Sequence, residues 1–589
     1  MFAVKFFSLI IYSIGITIFL HYVSLSYLYT YYKDWFLCDI KNSSSFDYII
    51  VGAGSAGSVL AERLSKAGAK ILLIEAGGTP SYFFNIPVIA PILFNSVYDW
   101  QYKTVPQEYS CKGLINNQSI WTSGKILGGS SRLNNMIYVQ GHHEDYWPWF
   151  SDYSAPTVSN GGLLHVDDQN WHSELSETIL QGAAELSHPS CNINTESTTG
   201  FMKAQVTMKN GERWSADRFI SQRNSNSKLK ILINSVVTKV LVNSKVARGV
   251  EVFRMGRKLT FFARKGVILS AGTVGTPKIL MLSGIGPKRY LDELNINTVS
   301  DLPVGQNLMD HVITGLDLVV LNTSQALSVS DMINPLSMMN YYLSGSGPWT
   351  SAGVDVIGTF RSKFAKNQSS QPDLQIMTIP GGLSKDGGIL LRKLLGVTDM
   401  IFNEYFAPFT YDNTISIAPV LLHPDSRGEI RLKSSDPFDD MIIDPKYLSK
   451  EQDVLTLLEG IEFVKSLVQT EAMKKIGAQI NQNVFPGCET FHFDSVEYWK
   501  CYIKHLTLTT YHPVGTCKMG EVVDTDFKVY GLKNLLVVDA SVFPTLPSGN
   551  IYAPVVMLAE KAARLITQSF QNSFKRRRCH ITDIFKSSR

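Results

Sequence analysis

Three glycines near the start of the chain have the spacing of a phosphate-binding turn. Gly52, Gly54 and Gly57 follow a short apolar run (DYIIV) in the order G-x-G-x-x-G, and apolar residues then recur at helical spacing. The first glycine allows a tight turn, the second lets a pyrophosphate approach the backbone, and the third allows close packing of helix on strand. The helix that starts at Ser55 and Ala56 would direct unpaired N–H groups and a positive dipole end towards the phosphates.

An acidic residue completes this pattern. The apolar segment KILLIE predicts a second strand that ends on Glu75, where a carboxylate can accept a hydrogen bond from a ribose hydroxyl. The glycine spacing alone occurs by chance in many loops. With both strands, the helix and the acid in place, it predicts a Rossmann-like dinucleotide site, although it does not distinguish NAD from FAD.

A histidine and an asparagine near the other end of the chain have side chains suited to proton chemistry. His512 lies in YHPVGTCKMG, and Asn550 lies in PSGN directly before a long helical pattern. An imidazole with its usual pKa of about 6.5 is largely neutral at neutral pH and can act as a base. An amide can donate a hydrogen bond to an oxygen that gains negative charge. Each residue also has a structural alternative. His512 could be a hydrogen-bonded structural histidine, one of twelve histidines in the chain, and Asn550 could be a turn or helix-cap residue.

Five segments, one of them the segment of His512, give these residues a common context. GKILGGSSRLNNMIYVQG, GTVGTPKILMLSGIG, LPVGQNLMDH, LLHPDSRGEI and YHPVGTCKMG resemble, in this order, segments of the glucose–methanol–choline (GMC) oxidoreductases. The resemblance runs from about Phe46 to about Ile566 and is nearest to the insect branch of glucose dehydrogenase-like enzymes. It implies an FAD-dependent enzyme that oxidises an alcohol or a sugar at a CH–OH group.

The resemblance also implies roles for individual residues. His512 would take the hydroxyl proton while the carbinol carbon passes hydride to flavin N5, and Asn550 would donate to the alcohol oxygen. Leu133 stands where some relatives attach FAD through a histidine, so FAD is predicted to bind non-covalently. His311 is expected to hydrogen-bond backbone at a domain junction, and His505 to be structural. The flavin-binding residues implied in addition to the glycine turn and Glu75 are Gly128, Gly129, Ser130, Asn134, Val237, Asp539 and Ala540.

The order of these segments predicts two closely joined domains, since 589 residues exceed the usual size of one core. The expected fold class is α/β combined with α+β, a discontinuous Rossmann-like FAD-binding domain with a substrate domain built on an antiparallel sheet backed by helices. The predicted division is 46–314 for the main FAD part, with a shortened lid segment at about 149–214, then 315–504 for the substrate domain and 505–570 for the return to the FAD domain.

The helical spacing in DVLTLLEGIEFVKSLVQ predicts one helix of the substrate domain. The residues expected on its buried face are Leu455, Leu458, Ile461, Phe463 and Leu467.

The two ends of the chain differ from the rest in composition. No Asp, Glu, Lys or Arg stands between Lys5 and Lys33, so residues 1–40 are predicted to be a signal peptide or an uncleaved signal-anchor. Residues 571–589 are predicted to be a polar, basic tail. Seven cysteines and the N-x-S/T triplets favour the secretory pathway, with the catalytic domain extracellular or membrane-anchored outside the cell. The triplets begin at Asn42, Asn117, Asn322 and Asn367.

Composition argues against other classes of partner. A net charge of +4 and the lack of a basic, aromatic-interleaved stripe argue against nucleic acid. The sequence has no C-x-x-C and no H-x-x-x-H, and the side chains of adjacent His142 and His143 are expected to diverge, so no metal site is predicted. The expected partners are therefore a small alcohol or sugar and an electron acceptor such as a quinone or oxygen.

Two alternatives remain open at this stage. The same motifs fit an FAD-dependent oxidase or lyase of the family. The short bridge SDYSAPTVSN, which replaces a longer segment near the substrate entrance of relatives, favours instead a non-catalytic extracellular structural protein. The intact His512 and Asn550 favour the enzyme.

Overall fold

The structure is a computed structural model. It describes residues 40–146, 164–195, 199–221, 228–323, 326–327, 331–332, 334–365 and 370–584, together with positions 21, 24, 25 and 28. Most of the predicted signal or anchor segment, the bridge after 146 and the end of the basic tail lie outside these ranges. Among the described residues, no helix has the length and apolar character that a bilayer crossing requires.

Seven strands of the described chain form a first sheet around Ser45–Val51. This strand pairs in parallel with Ile71–Ile74 on one side and with Arg257–Leu269 on the other. Leu535–Val537 pairs in parallel with Arg257–Leu269, so the C-terminal part of the chain returns to the sheet that the N-terminal part begins. The remaining strands of this sheet are Leu229–Leu232, Val236–Asn243 and Val246–Arg254.

The strand-like run ILINSVVTKVLV does not form a single strand. Leu229–Leu232 pairs with Ile71–Ile74 at one edge of the first sheet, whereas Val236–Asn243 pairs with Val246–Arg254 at the other edge. Between them, the N–H groups of Asn234 and Ser235 donate to the carbonyls of Gly77 and Glu75, so the second strand begins beside the carboxyl end of Ile71–Ile74. This start places Val237 where it lines the cavity at the carboxyl ends of the parallel strands.

The helix after the glycine turn, Ser55–Lys66, connects the first two parallel strands. Its apolar residues Val59, Leu60 and Leu64 are buried, as helical spacing of these positions predicts. Arg63 Nε lies 2.9 Å from Glu560 Oε1, so this helix is also linked to the C-terminal helix Tyr552–Ile584.

Eight strands of the described chain form a second, antiparallel sheet. Its longest strand, Asn413–Leu421, lies beside Leu374–Ile379, and the strand Gly200–Lys203 joins it by pairing with Val356–Phe360. The other strands are Val312–Ile313, Val319–Leu321, Gln479–Ile480 and Leu508–Thr509. The fold class is thus confirmed, with a mixed sheet beside an antiparallel sheet backed by helices.

The helix predicted to back this sheet is Glu451–Val468, but its buried face differs from the expected one. Leu455 and Leu458 are only partly buried. A β-carbon on Gly460 would collide with Pro419, so the glycine lets the helix lie close to the strand and turns this side inward. The positions that are fully buried are Val454, Leu457, Ile461, Val464 and Leu467.

The remaining regular elements are short or lie at the periphery. The other α-helices are Ala90–Leu93, His143–Tyr146, Leu175–Glu185, Asp217–Ser221, Gly272–Leu282, Lys288–Glu293, Pro335–Ser344, Leu391–Leu395, Asp399–Ile401, Glu471–Lys475 and Val496–His505. The short ladders are Tyr102–Lys103 with Ile120–Trp121, Ile137–Tyr138 with Gln205–Val206 and Asp167–Asp168, Met208–Lys209 with Glu212–Arg213, Ile285–Gly286 with Ser300–Asp301, and Glu429–Leu432 with Met441–Asp444.

A disulfide that the sequence leaves unassigned joins Cys488 to Cys501, across a sequence separation of 13. A cross-link over a loop of this length restricts the unfolded chain and stabilises the fold by about 3 kcal/mol. We expect Cys501→Ser to lower the free energy of unfolding by about that amount, measured by denaturant titration. Reductant should destabilise the wild type and leave the variant unchanged. Cys517, which lies in the YHPVGTCKMG segment, is a free and buried thiol.

Candidate active site

A cavity of about 1470 Å³ lies between the two sheets. On one side it meets the carboxyl ends of the parallel strands, at Val51, Ile74 and Ser270. Open α/β sheets bind their ligands in this position. On the other side it meets the second sheet, through Ile313 and Met377.

Nearly all of the predicted site residues line this cavity. Gly57 and Gly128 do not line it, but each lacks a side chain where a neighbouring group packs closely. A β-carbon on Gly57 would collide with the Gly52 carbonyl oxygen, and one on Gly128 would lie 2.7 Å from Asp217 Oδ1. The predicted residues that line the cavity are Gly52, Gly54, Ser55, Ala56, Glu75, Gly129, Ser130, Asn134, Val237, His512, Asp539, Ala540 and Asn550.

The wall at Gly54 is open because this residue has no side chain. Its φ of −80° is one that any residue adopts, so the backbone does not require glycine here. Within the described chain, the nearest atom to a β-carbon at Gly54 would be Gly129 Cα, at 3.8 Å. As N-cap, Gly54 also provides no side-chain acceptor for the first N–H groups of Ser55–Lys66. These groups can therefore bind the phosphates of a dinucleotide whose pyrophosphate lies against the backbone.

The Glu75 carboxylate hydrogen-bonds the backbone of the glycine turn. Its Oε2 accepts from the Ala53 N–H at 2.8 Å and its Oε1 from the Gly77 N–H at 2.9 Å. Burial raises the pKa of this carboxyl to about 7, although both backbone hydrogen bonds act in the opposite direction. The same carboxyl lines the cavity, where it can also accept from a ribose hydroxyl.

Arg213 positions the second predicted cofactor loop, which carries Ser130 and Asn134. No sequence pattern indicated this role. Its buried Nη1 donates to the Asn134 carbonyl at 2.6 Å, to Asn134 Oδ1 at 2.7 Å and to the Ser131 carbonyl at 3.2 Å. Beside it, Arg132 forms a buried ion pair with Asp217. Both arginine contacts cross long stretches of sequence, and together they fix the loop that carries Ser130 and Asn134.

His512 and Asn550 meet at the centre of the cavity. Asn550 Nδ2 lies 3.3 Å from His512 Nε2. Two groups contact His512 Nδ1, the Thr510 hydroxyl at 2.9 Å and His311 Nδ1 at 3.0 Å, and the Thr510 hydroxyl also lies 3.2 Å from the His311 carbonyl. In the tautomer whose proton is on Nδ1, the Nε2 lone pair faces Asn550. Asn550 Oδ1 is buried and has no hydrogen-bond partner within the described residues.

A buried carboxylate holds the His512 backbone in place. Asp310 Oδ1 accepts from the His512 N–H at 2.9 Å, and its Oδ2 accepts from the hydroxyls of Thr509, at 2.6 Å, and Tyr447. Trp121 Nε1 donates to the Tyr447 hydroxyl at 3.0 Å. Sequence reasoning missed these residues, for which only the LMDH segment offered a signal.

The two other histidines singled out from the sequence have structural contacts. The His311 carbonyl accepts from the Thr510 hydroxyl at 3.2 Å, and the His311 ring Nδ1 lies 3.0 Å from His512 Nδ1. His505 Nδ1 lies 2.9 Å from the Cys501 carbonyl, beside the disulfide.

The expectation that the His142 and His143 side chains diverge is wrong. Their ring centroids lie 4.2 Å apart, because His143 begins a helix while His142 still belongs to the preceding turn. With Glu144 they form a cluster of metal-ligand type, but Ser370 Oγ contacts both His142 Nε2, at 3.2 Å, and Glu144 Oε1, at 2.8 Å.

The pH dependence of the reaction should report the environment of His512. Burial lowers the pKa of its imidazole to about 4, so the base stays neutral at physiological pH. We expect the rate constant for flavin reduction by saturating substrate to be flat from about pH 5.5 to about pH 8 and to fall at lower pH as Nε2 is protonated. Stopped-flow measurements across this range test the expectation, and a fall centred near pH 6.5 would contradict it.

A dinucleotide cradle that shares one cavity with a partly buried histidine of lowered pKa defines a cofactor-dependent oxidoreductase. Comparison with known proteins identifies the kind of oxidoreductase. Family models of the GMC oxidoreductases match residues 46–313 and 424–559. The chain therefore belongs to the GMC oxidoreductases, as its motifs predicted.

Several relatives resemble nearly the whole chain. Glucose dehydrogenase [FAD, quinone] of Drosophila melanogaster is 36% identical over 565 residues, covering 89% of this chain and 87% of the relative. Ecdysone oxidase of Spodoptera littoralis is 33% identical over 566 residues, covering 90% and 93%. Among solved structures, pyridoxine 4-oxidase from Mesorbium loti has a TM-score of 0.72 and 27% identity, covering 88% of this chain and 98% of that one.

These findings identify the cofactor and the reaction type. The chain is an FAD-dependent oxidoreductase that acts on CH–OH groups of alcohols or sugars. The residues present fit FAD, because the side-chain-free wall at Gly54 and the uncapped helix start accommodate a dinucleotide pyrophosphate.

Proposed function

We propose that His512 is the general base of this alcohol oxidation and that Asn550 holds the substrate oxygen. One observation supports both roles, namely that Nε2 of the His512 imidazole and Nδ2 of the Asn550 amide lie 3.3 Å apart in the cavity. With the imidazole proton on Nδ1, an alcohol oxygen beside this pair, within hydrogen-bond reach of both nitrogens, would donate its proton to Nε2 and accept from Nδ2. Bound FAD supplies the acceptor for the hydride of the carbinol carbon.

The surrounding residues support this role by holding His512 in place. The Thr510 hydroxyl and His311 Nδ1 both contact its Nδ1, at 2.9 Å and 3.0 Å, and Asp310 fixes the backbone at His512. Removal of the hydroxyl proton leaves negative charge on oxygen, which the Asn550 amide stabilises better in a buried site than it would in water. Asn550 Oδ1 gives the buried amide a further acceptor for a substrate hydrogen.

The anaerobic absorbance spectrum of the purified protein tests this function. We expect a flavin spectrum that bleaches when a suitable alcohol or sugar is added, and restored absorbance when an acceptor follows. A flavin that no compound bleaches would favour a lyase, and a protein without flavin would favour the structural alternative. The acceptor is proposed to be a quinone or oxygen, and adding each separately to the reduced enzyme distinguishes a dehydrogenase from an oxidase.

FAD is proposed to bind without a covalent link. The position used for attachment in some relatives is Leu133, whose side chain is buried against Leu93 and Ile126 and offers no nucleophile. Acid precipitation should therefore release all of the flavin into the supernatant. Fluorescence that stays with the precipitated protein would contradict this proposal.

The enzyme is proposed to act in the secretory pathway or outside the cell, either free or anchored through its N-terminal segment. The Cys488–Cys501 disulfide supports an oxidising compartment, and Asn42 and Asn322 are exposed positions that begin glycosylation triplets. Expression in animal cells tests this, since glycosidase treatment of exported protein should lower its apparent mass. Carbonate extraction then separates anchored from free protein.

A further inference from the structure

The cavity wall formed by the second sheet and its neighbouring segments is apolar. Met377 and Ile379 are two residues apart on Leu374–Ile379, so their side chains share the face that lines the cavity. Other segments extend this surface around the substrate end. The further apolar residues that line this part of the cavity are Ile89, Phe94, Ile313, Leu316, Trp349, Val354, Leu383, Leu394 and Leu508.

Polar groups on this wall already have partners within the protein. Ser416 Oγ accepts from the Asp317 N–H at 3.0 Å, and Ser351 Oγ accepts from the Gly353 N–H at 3.1 Å. The Asp386 carboxylate accepts from the N–H groups of Gly388, Leu390 and Leu391 at 2.7–2.9 Å.

Lys385, the charged amine near this wall, also has a hydrogen-bond partner. The Lys385 ammonium donates to the Asp412 carbonyl. A sugar bound against this wall would bury several hydroxyls opposite hydrocarbon, and each hydroxyl without a partner opposes binding. The apolar side chains of the wall offer no hydrogen-bond partner to these hydroxyls, whereas the His512–Asn550 pair offers both an acceptor and a donor to one of them.

The rim of the cavity is apolar too. Ile92 and Ile389 line the cavity and are nevertheless 63% and 76% exposed. Leu390 beside them is also exposed. Such side chains at an opening favour the entry of an apolar molecule.

We propose that the substrate is a predominantly hydrocarbon alcohol, with one hydroxyl at the His512–Asn550 pair and an apolar body against Met377 and Ile379. The proposal deepens the function given above and depends on it only for the redox step. The alcohol loses its hydroxyl proton to Nε2 and a hydride to the bound cofactor, so the product is the corresponding aldehyde or ketone. A free sugar or polyol is the competing class.

The test compares matched ligands on the FAD-loaded protein. Flavin bleaching is measured anaerobically with geraniol, 1-dodecanol and a sterol alcohol, and with glucose and sorbitol. Binding is measured separately with the methyl ether of each apolar alcohol, because the ether has no hydroxyl proton to lose. The change that the ether causes in the flavin spectrum reports its binding. We expect at least one apolar alcohol to bleach the flavin at concentrations at least about tenfold below those of any sugar.

A variant pair connects this preference to the wall. Met377 is 7% exposed and lines the cavity, whereas Met400 is 55% exposed and lies outside it. Met377→Gln should weaken binding of the methyl ether by about tenfold, while Met400→Gln should leave this binding unchanged. FAD content and thermal unfolding of both variants establish that they are folded.

The outcomes separate the substrate class from the redox function. Bleaching by glucose or sorbitol at equal or lower concentrations than by the apolar alcohols would overturn the apolar class and keep the redox function. Methyl-ether binding that depends on Met377, without bleaching by any alcohol, would keep the apolar ligand class and overturn the redox function. No apolar binding at all would overturn the proposal.

Discussion

Replacing His512 with alanine is expected to leave FAD bound and to slow flavin reduction by substrate by about 10²–10⁴-fold, the usual contribution of a positioned general base. The variant removes the only described ring nitrogen that faces Asn550 in the cavity, while the backbone N–H that donates to Asp310 remains. The glycine turn and Glu75, which form the phosphate and ribose part of the cradle, make no hydrogen bond to the His512 side chain within the described residues. Stopped-flow absorbance under anaerobic conditions measures the rate, and the flavin spectrum of the purified variant measures the bound FAD.

His492→Ala is the matched control, because His492 is exposed and lies outside the cavity. It should reduce flavin at the wild-type rate. A His512→Ala enzyme that also kept this rate would remove His512 from the mechanism. One that lost its FAD would instead assign the residue a structural role.

The residual reaction of the alanine variant should depend on pH in a different way. In the wild type the base titrates near pH 4, and in the variant the proton must leave to solvent or hydroxide. We therefore expect the slow residual rate to rise with pH above neutrality, where the wild-type rate is flat. This readout separates the loss of a base from a general distortion of the site, which would lower the rate without changing its pH profile.

The parts of the site that the sequence predicted are those that depend on neighbours along the chain. The glycine turn, its helix and Glu75 lie within one strand–helix–strand unit, so spacing alone determines their arrangement. Asn550 likewise lies close to the start of its helix. Local geometry of this kind depends on a few consecutive residues, and it was predicted with the correct lining residues apart from Gly57 and Gly128.

The parts that were missed depend on contacts between distant segments. Trp121, Asp310 and Tyr447 meet behind His512 although each lies in a different region of the sequence, and no spacing rule connects them. The apolar substrate wall is assembled in the same way from separate strands and loops. In the helix Glu451–Val468, Ile461, Phe463 and Leu467 are buried as predicted, but Leu455 and Leu458 are only partly buried. Gly460 and Pro419 determine how this helix approaches the sheet.

Gly54→Val is expected to yield a folded protein without FAD. The φ of −80° at this residue suits valine, and the nearest described atom to its new β-carbon would be 3.8 Å away, so the chain itself accommodates the substitution. The methyl groups would instead occupy the space in which the pyrophosphate meets the backbone. Extra methyl groups in a close-packed contact cost about 1–3 kcal/mol. A pyrophosphate held against the backbone cannot move away, so we expect the upper end of this range, a fall in FAD affinity of about a hundredfold. Absorbance of the purified variant and fluorescence titration with FAD measure the loss.

Two comparisons make this result specific to the cradle. Ala67→Val places the same side chain at the other end of the same helix, outside the cavity, and should purify with the wild-type amount of FAD. The FAD-free forms of the wild type and of Gly54→Val should unfold at the same denaturant concentration, because the substitution opposes the ligand and not the fold. Gly52 offers no such test, since a β-carbon there would collide with the Ser270 carbonyl at a φ of +97° and disturb the chain itself. A Gly54→Val protein that purified yellow would show that the glycine turn does not hold the pyrophosphate, and the helix start at Ser55 would then lose its role as the phosphate site.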